Sequence, residues 1–206
     1  RAVSCNQNSR PRKQRQAPAA GNLIPKNSRL CGAPATRQSA KVVIVPARFR
    51  MLATLAAVFA GLAVFHFPFL SLPYFWDEAG YYIPAALDIY NGWLLVPEST
   101  LPIGHTPLLM IYLALAWKLF GFSPLVTRTA MVSIAAATVT ATYALGRRVT
   151  GREPAVWAAL LLALSPMFFA QSTMVFLDLP AALFTTLAVI ALLDGRMLMF
   201  AVVASL

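Results

Sequence analysis

The stretch MLATLAAVFAGLAVFHFPFLSL, residues 51–72, decides the fold. It holds no Asp, Glu, Lys or Arg, and the charge-free run continues to Trp76. Crossing the hydrocarbon core of a bilayer, about 30 Å thick, takes about 20 apolar residues at a helical rise of about 1.5 Å each. Met51 to Leu72 meets that length, and Pro73 marks its end because proline has no N–H to continue the ladder. Arg48 and Arg50, just upstream, predict that this end of the span stays on the cytoplasmic side.

The segment before it has the opposite character. Residues 1–50 contain eleven Lys/Arg and no acidic residue, whereas residues 51–206 contain six basic and seven acidic ones. The net charge of +10 therefore belongs to this N-terminal segment alone. Its basic residues are scattered among Asn, Gln, Ser, Pro and Ala, with no aromatic ring before Phe49 to stack on a base. That pattern argues against nucleic acid and for anionic lipid headgroups or no partner. Residues 1–50 read as a disordered basic tail, and the opening Arg1 leads to the expectation that Met51 is the native start. Cys5 and Cys31 both lie in this tail, so no disulfide framework or thiolate metal site holds the remainder.

Over the whole chain, 59% hydrophobic and 12% charged residues cannot clothe a soluble domain. Further spans are expected at Thr129–Gly146, between Arg128 and the cluster Arg147, Arg148 and Arg152, and at Pro154–Leu177, where Pro166 should kink or break the helix. Leu179–Leu193, bounded by Asp178 and Asp194, is a shorter one. The apolar run from Met197 to Leu206 is too short to cross, which leads to the expectation that residues 51–206 are the truncated N-terminal part of a larger membrane domain. Pro107–Phe120, with Lys118 inside it, reads as an interfacial helix on the outer surface. That choice leaves Arg147, Arg148, Arg152 and Arg196 on the cytoplasmic side with the tail, as the positive-inside rule asks. Asp77, Glu78, Asp88, Glu98, His105 and Asp178 then share the outer side. The expected architecture is an all-α, polytopic membrane protein with interfacial helices in its first outer loop. The chain has no repeat at solenoid periods and no Walker, Rossmann, zinc-finger or HExxH pattern.

The segment Tyr74-Phe75-Trp76-Asp77-Glu78-Ala79-Gly80-Tyr81-Tyr82 follows the first span directly. Asp77 could cap a short helix running to about Tyr90, with Glu78 favoured in its first turn by the helix dipole. Alternatively, one of the two carboxylates is a general base at the height of a lipid headgroup. Asp178 sits between two apolar runs, and the nearest Lys or Arg in sequence, Arg196, is 18 residues away, so its partner is expected from elsewhere in the fold, from a metal or from substrate. His105 opens the interfacial helix, His66 reads as structural, and Lys118 as a snorkelling side chain.

A first span followed at once by Asp77-Glu78, then a short helix, then His105-Thr106-Pro107-Leu108-Leu109, resembles bacterial GT-C membrane glycosyltransferases of the family 39 type. Their relatives are the dolichyl-phosphate-mannose–protein mannosyltransferases and the lipid A aminoarabinose transferases. Leu119-Phe120-Gly121, Arg128 before a small-residue helix, Gly146-Arg147-Arg148 with Gly151-Arg152, and Leu164-Ser165-Pro166 with Gln171-Ser172 and Asp178 fit the same pattern. The resemblance runs from about Met51 to Leu206 and rests on the order and spacing of motifs that are individually weak. It implies a GT-C fold in the plasma (inner) membrane, with transfer of a sugar from a polyprenyl-phosphate donor to a hydroxyl of a lipid, glycan or protein acceptor on the outer face. It further implies that Asp77 is the base, that Glu78 supports it or binds acceptor, that His105 faces the donor phosphate, and that Asp178 is the second carboxylate of the site. Thr106 departs from the family's frequent Pro-Pro pair. No cofactor is required; a divalent metal is compatible with the carboxylates, but no ligand cluster demands one. A secondary transporter with membrane-embedded acids and a non-catalytic scaffold are the competing readings. Residues 51–206 alone are expected to be inactive.

Overall fold

Each long apolar run becomes a helix because, in lipid, every backbone N–H and C=O must find its partner within the segment. A computed structural model describes residues 47–92, 95–101 and 106–205. All regular elements among them are helical. They are α1 (Ala47–His66), α2 (Ile83–Gly92), α3 (Leu108–Phe120), α4 (Pro124–Val149), α5 (Arg152–Leu164), α6 (Pro166–Gln171), α7 (Asp178–Leu193) and α8 (Met197–Ala204). A 3-10 turn, Phe67–Phe69, extends α1, and a π-turn, Glu78–Tyr82, leads into α2. The tail assigned to residues 1–50 lies outside the described residues up to position 46, as does His105.

Helix α4 is the central post, packed against α1, α3, α5 and α7. It is longer at both ends than the Thr129–Gly146 span expected from the sequence. Ser123 caps it, its hydroxyl accepting from the Val126 N–H at 3.2 Å, and Pro124 takes the first-turn position where its missing N–H costs nothing. Arg128, read as a boundary charge, lies inside the helix because it is paired there rather than solvated. The small residues of α4 let its neighbours approach. At Gly146 an added Cβ would stand 2.9 Å from the Cβ of Ala155, so α4 and α5 touch there only because Gly146 has no side chain.

Pro166 breaks the Pro154–Leu177 run outright. Ser165 turns extended (φ −67°, ψ 134°), and its hydroxyl caps the short α6 by accepting from the Phe168 N–H at 3.3 Å. Residues 172–177 then form an irregular, partly buried loop before α7.

The apolar surface points outward. Val64 and Phe65 of α1, Leu161 and Leu164 of α5 and Leu198 of α8 are 68–81% exposed. Water would not tolerate so much continuous apolar surface on a monomer, whereas lipid tails make it ordinary. Two helices are long and apolar enough to cross: Phe49–Phe69, of whose apolar window only 11% is buried, and Pro124–Val149, with 50% buried. The first faces lipid, and the second is the core of the bundle. The fold is an all-α membrane protein. Helix α3, with 13 residues, is about 20 Å long and falls short of a full span.

Candidate functional site

The adjacent carboxylates after α1 point in opposite directions. Glu78 turns inward and is 1% exposed. Its two oxygens meet both terminal nitrogens of Arg128, which is 3% exposed: Oε1 faces Nη1 as a close ion pair, and Oε2 lies 2.8 Å from Nη2. Oε1 also accepts from the Val175 N–H at 2.6 Å, and Oε2 from the Phe75 N–H at 3.1 Å. Arg128 in turn donates to the Thr173 carbonyl at 2.7 Å and the Pro73 carbonyl at 2.9 Å. Its Nε alone has no hydrogen-bond partner among the described residues.

This fork ties four segments together: the end of the first apolar run, the π-turn, the first turns of α4 and the loop before α7. A buried carboxylate and guanidinium are tolerable only when both are this fully bonded. The clasp has its own support. Arg128 lies over the Tyr74 ring, 5.7 Å from its centroid. The Tyr74 hydroxyl donates to Thr127 Oγ1 at 2.7 Å, Trp117 Nε1 donates to the same oxygen at 2.9 Å, and that hydroxyl donates to the Ser123 carbonyl at 3.0 Å. Burial raises the Tyr74 phenol above its ordinary pKa, with Glu78 adding to the rise and Thr127 and Arg128 opposing it.

Asp77 is exposed, and its side chain makes no cap bond to the turn it precedes, so the helix-cap expectation does not hold. The reason is local. Trp76 sits at φ 48°, in the left-handed region, and the residues after Asp77 wind as a π-turn rather than an α-turn. The wider turn carries Glu78 inward and leaves Asp77 at the open edge. Such π-turns recur at functional sites.

Asp178 opens α7 and is also exposed. Its partner is not a distant cation but the amide of Gln171, seven residues earlier, which donates to Oδ2 at 3.1 Å. Asp77 and Asp178 flank Tyr82, which we call the rim: the π-turn that Asp77 precedes ends at Tyr82, and the Tyr82 ring packs edge-on against Phe176, two residues before Asp178. Asp88 is engaged elsewhere. The Asp88 carboxylate closes the following loop by accepting from the N–H groups of Glu98 and Ser99 and from the Ser99 hydroxyl, at 2.9–3.0 Å. Among the described residues, no group of three His, Cys, Asp or Glu side chains could hold a metal.

Next to Asp178 an apolar cavity of about 820 Å³ opens between α3, α7 and α8, with Leu177, Pro180, Phe184, Leu109 and Tyr112 in its wall. Thr106, the residue after His105, also lines it. His66 is buried at the end of α1, its ring nitrogens 2.8 and 3.0 Å from the carbonyls of Leu62 and Phe169, a structural position as expected.

Residues 104–196 match the family model described as dolichyl-phosphate-mannose-protein mannosyltransferase. That match supports a GT-C membrane glycosyltransferase. It includes Arg128, Gln171 and Asp178, and begins after Asp77 and Glu78. No curated protein and no solved structure matches the chain. Arg128 and the Thr173–Val175 loop of the matched region thus hold Glu78, which lies outside it. Arg128 was not singled out as a site residue from sequence. Its signal was there: a cation in the first turns of a helix opposes the helix dipole and asks for a nearby anion.

Proposed function

We propose that the protein transfers a sugar from a polyprenyl-phosphate donor to an acceptor hydroxyl, with the acidic rim on the outer face of the membrane. Asp77 is the general base. As the acceptor oxygen attacks the anomeric carbon, its proton passes to the Asp77 carboxylate and the bond from that carbon to the phosphate oxygen breaks, releasing polyprenyl phosphate. The phosphate is already a good leaving group, so activating the hydroxyl and steadying the departing charge are the protein's tasks. Glu78 supports Asp77 by anchoring the π-turn, and Asp178 binds substrate. His105 faces the donor phosphate.

This reading is supported most by two exposed carboxylates, Asp77 and Asp178, with an apolar cavity lined by Leu177 next to the second of them, and by the family match. A lipid-linked sugar needs this juxtaposition, because its tail must stay in hydrocarbon while its head reaches polar groups. The transporter reading has less support: among the described residues, α1 and α4 carry no acidic side chain, and those of α5 and α7 are confined to first turns.

The test is sugar transfer from polyprenyl-phosphate-linked donors by membranes carrying the gene's intact product. Asp77→Asn should lower transfer by about a hundredfold or more without reducing the amount of folded protein. Undiminished transfer would remove Asp77 from the role of base.

A further inference from the structure

Tyr82 is a rim residue that neither the clasp nor the base uses. It ends the π-turn, and its ring is held edge-on by Tyr81 and Phe176, with centroids 5.8 and 6.2 Å away. Phe176 stands two residues before Asp178, and its neighbour Val175 is bonded to Glu78, so the clasp fixes both sides of the ring. The Tyr82 hydroxyl makes no hydrogen bond among the described residues. Asp178 Oδ2 is held by Gln171, which leaves Oδ1 available to a ligand. Burial first, then Asp77, Asp178 and Tyr81, raise the phenol above its ordinary pKa, so it remains an O–H donor at neutral pH.

The chemistry of this rim selects its occupant. Ionised carboxylates only accept hydrogen bonds, and a phosphate brings more acceptors and like charge. The acidic rim therefore repels phosphate and suits groups that donate. A sugar hydroxyl both donates and accepts, which matches a free carboxylate oxygen beside a phenol O–H. We infer that Tyr82 and Asp178 form the subsite for the transferred sugar, with the Tyr82 hydroxyl donating to a sugar oxygen while Asp178 Oδ1 accepts from a neighbouring sugar hydroxyl. Asp77, on the other flank of Tyr82, is left to the acceptor. The inference rests on the transferase reading of the same cleft and divides it, with sugar at the acidic rim and phosphate away from it.

Tyr82→Phe tests this, because it removes the hydroxyl and keeps the ring packed against Tyr81 and Phe176. The intact gene product, in nanodiscs, is titrated with polyprenyl phosphate carrying mannose, glucose, galactose or arabinose, and with polyprenyl phosphate alone. Wild type should prefer at least one sugar-bearing lipid over the bare one. Tyr82→Phe should weaken that lipid's binding about tenfold, as for one lost hydrogen bond, while its affinity for bare polyprenyl phosphate and its melting temperature stay unchanged. Equal binding of the sugar-bearing lipid by wild type and Tyr82→Phe would overturn the inference alone, as would an equal loss for both lipids. A wild type that prefers none of the four sugars would sink the transferase reading and this subsite together.

Discussion

Asp77 and Glu78 are neighbours in sequence, of one chemical kind, and they occupy opposite environments. Glu78 is sealed, with four hydrogen-bond donors on its two oxygens. Asp77 is open, and its carboxylate acts on the Tyr82 phenol across the rim. What separates them is backbone register: the left-handed Trp76 and the π-turn send one carboxylate into the bundle and the other to its edge. The sealed residue ties separate segments together, and the open one stays exposed at the edge.

The contrast predicts different failures from similar substitutions. The largest expected effect is on chemistry: Asp77→Asn should lower transfer by about 10²–10⁴-fold, the range for a general base, with unchanged thermal stability. If it also unfolded the protein, the open-versus-sealed division would be wrong. Arg128→Ala comes next and should act on stability instead. It strands the Glu78 carboxylate in the interior and should cost about 3–5 kcal/mol, read as a large fall in melting temperature in detergent. Replacing Arg128 by Met together with Glu78 by Leu should cost less than Arg128→Ala alone, since no charge is then left buried.

Much of the fold was legible in the sequence, and the site was only half so. Span length and the absence of charge located α1, α4 and α7, and Pro166 announced the break between α5 and α6. These are local rules, and they hold because lipid forces each segment to satisfy its own backbone. The clasp is not local. Glu78 meets Arg128 across 50 residues and Val175 across 97, and no periodicity encodes such a pairing. The π-turn was hidden for a related reason: its register is set by what Glu78 grips. Even so, Asp77 and Asp178 stood out in the sequence as candidates, because an acid beside a span is costly enough to be noticed alone. Gln171 was passed over as the Asp178 partner because a neutral amide carries no such signal.

The smallest expected effect belongs to a third carboxylate, away from the rim. The backbone N–H of Ser99 is the largest of the causes that hold the Asp88 carboxyl below its usual range; the Ser99 hydroxyl and Glu98 N–H add to it, and partial burial opposes them. A depressed carboxyl orders its loop above the ordinary carboxylate range and releases it as pH falls through the lowered value. Asp88→Ala should therefore speed amide hydrogen exchange at Glu98 and Ser99 at neutral pH, with little change in global melting. Unchanged exchange would mean that the loop is ordered by something else.

Transfer at the rim requires Asp77 and Asp178 to reach water on one side of the bilayer. Single cysteines at positions 77 and 178, in a background with Cys5 and Cys31 replaced, can be labelled with a membrane-impermeant maleimide from each face in turn. Both positions should react from the outer face and neither from the cytoplasmic face. Labelling of the two from opposite faces would contradict the account.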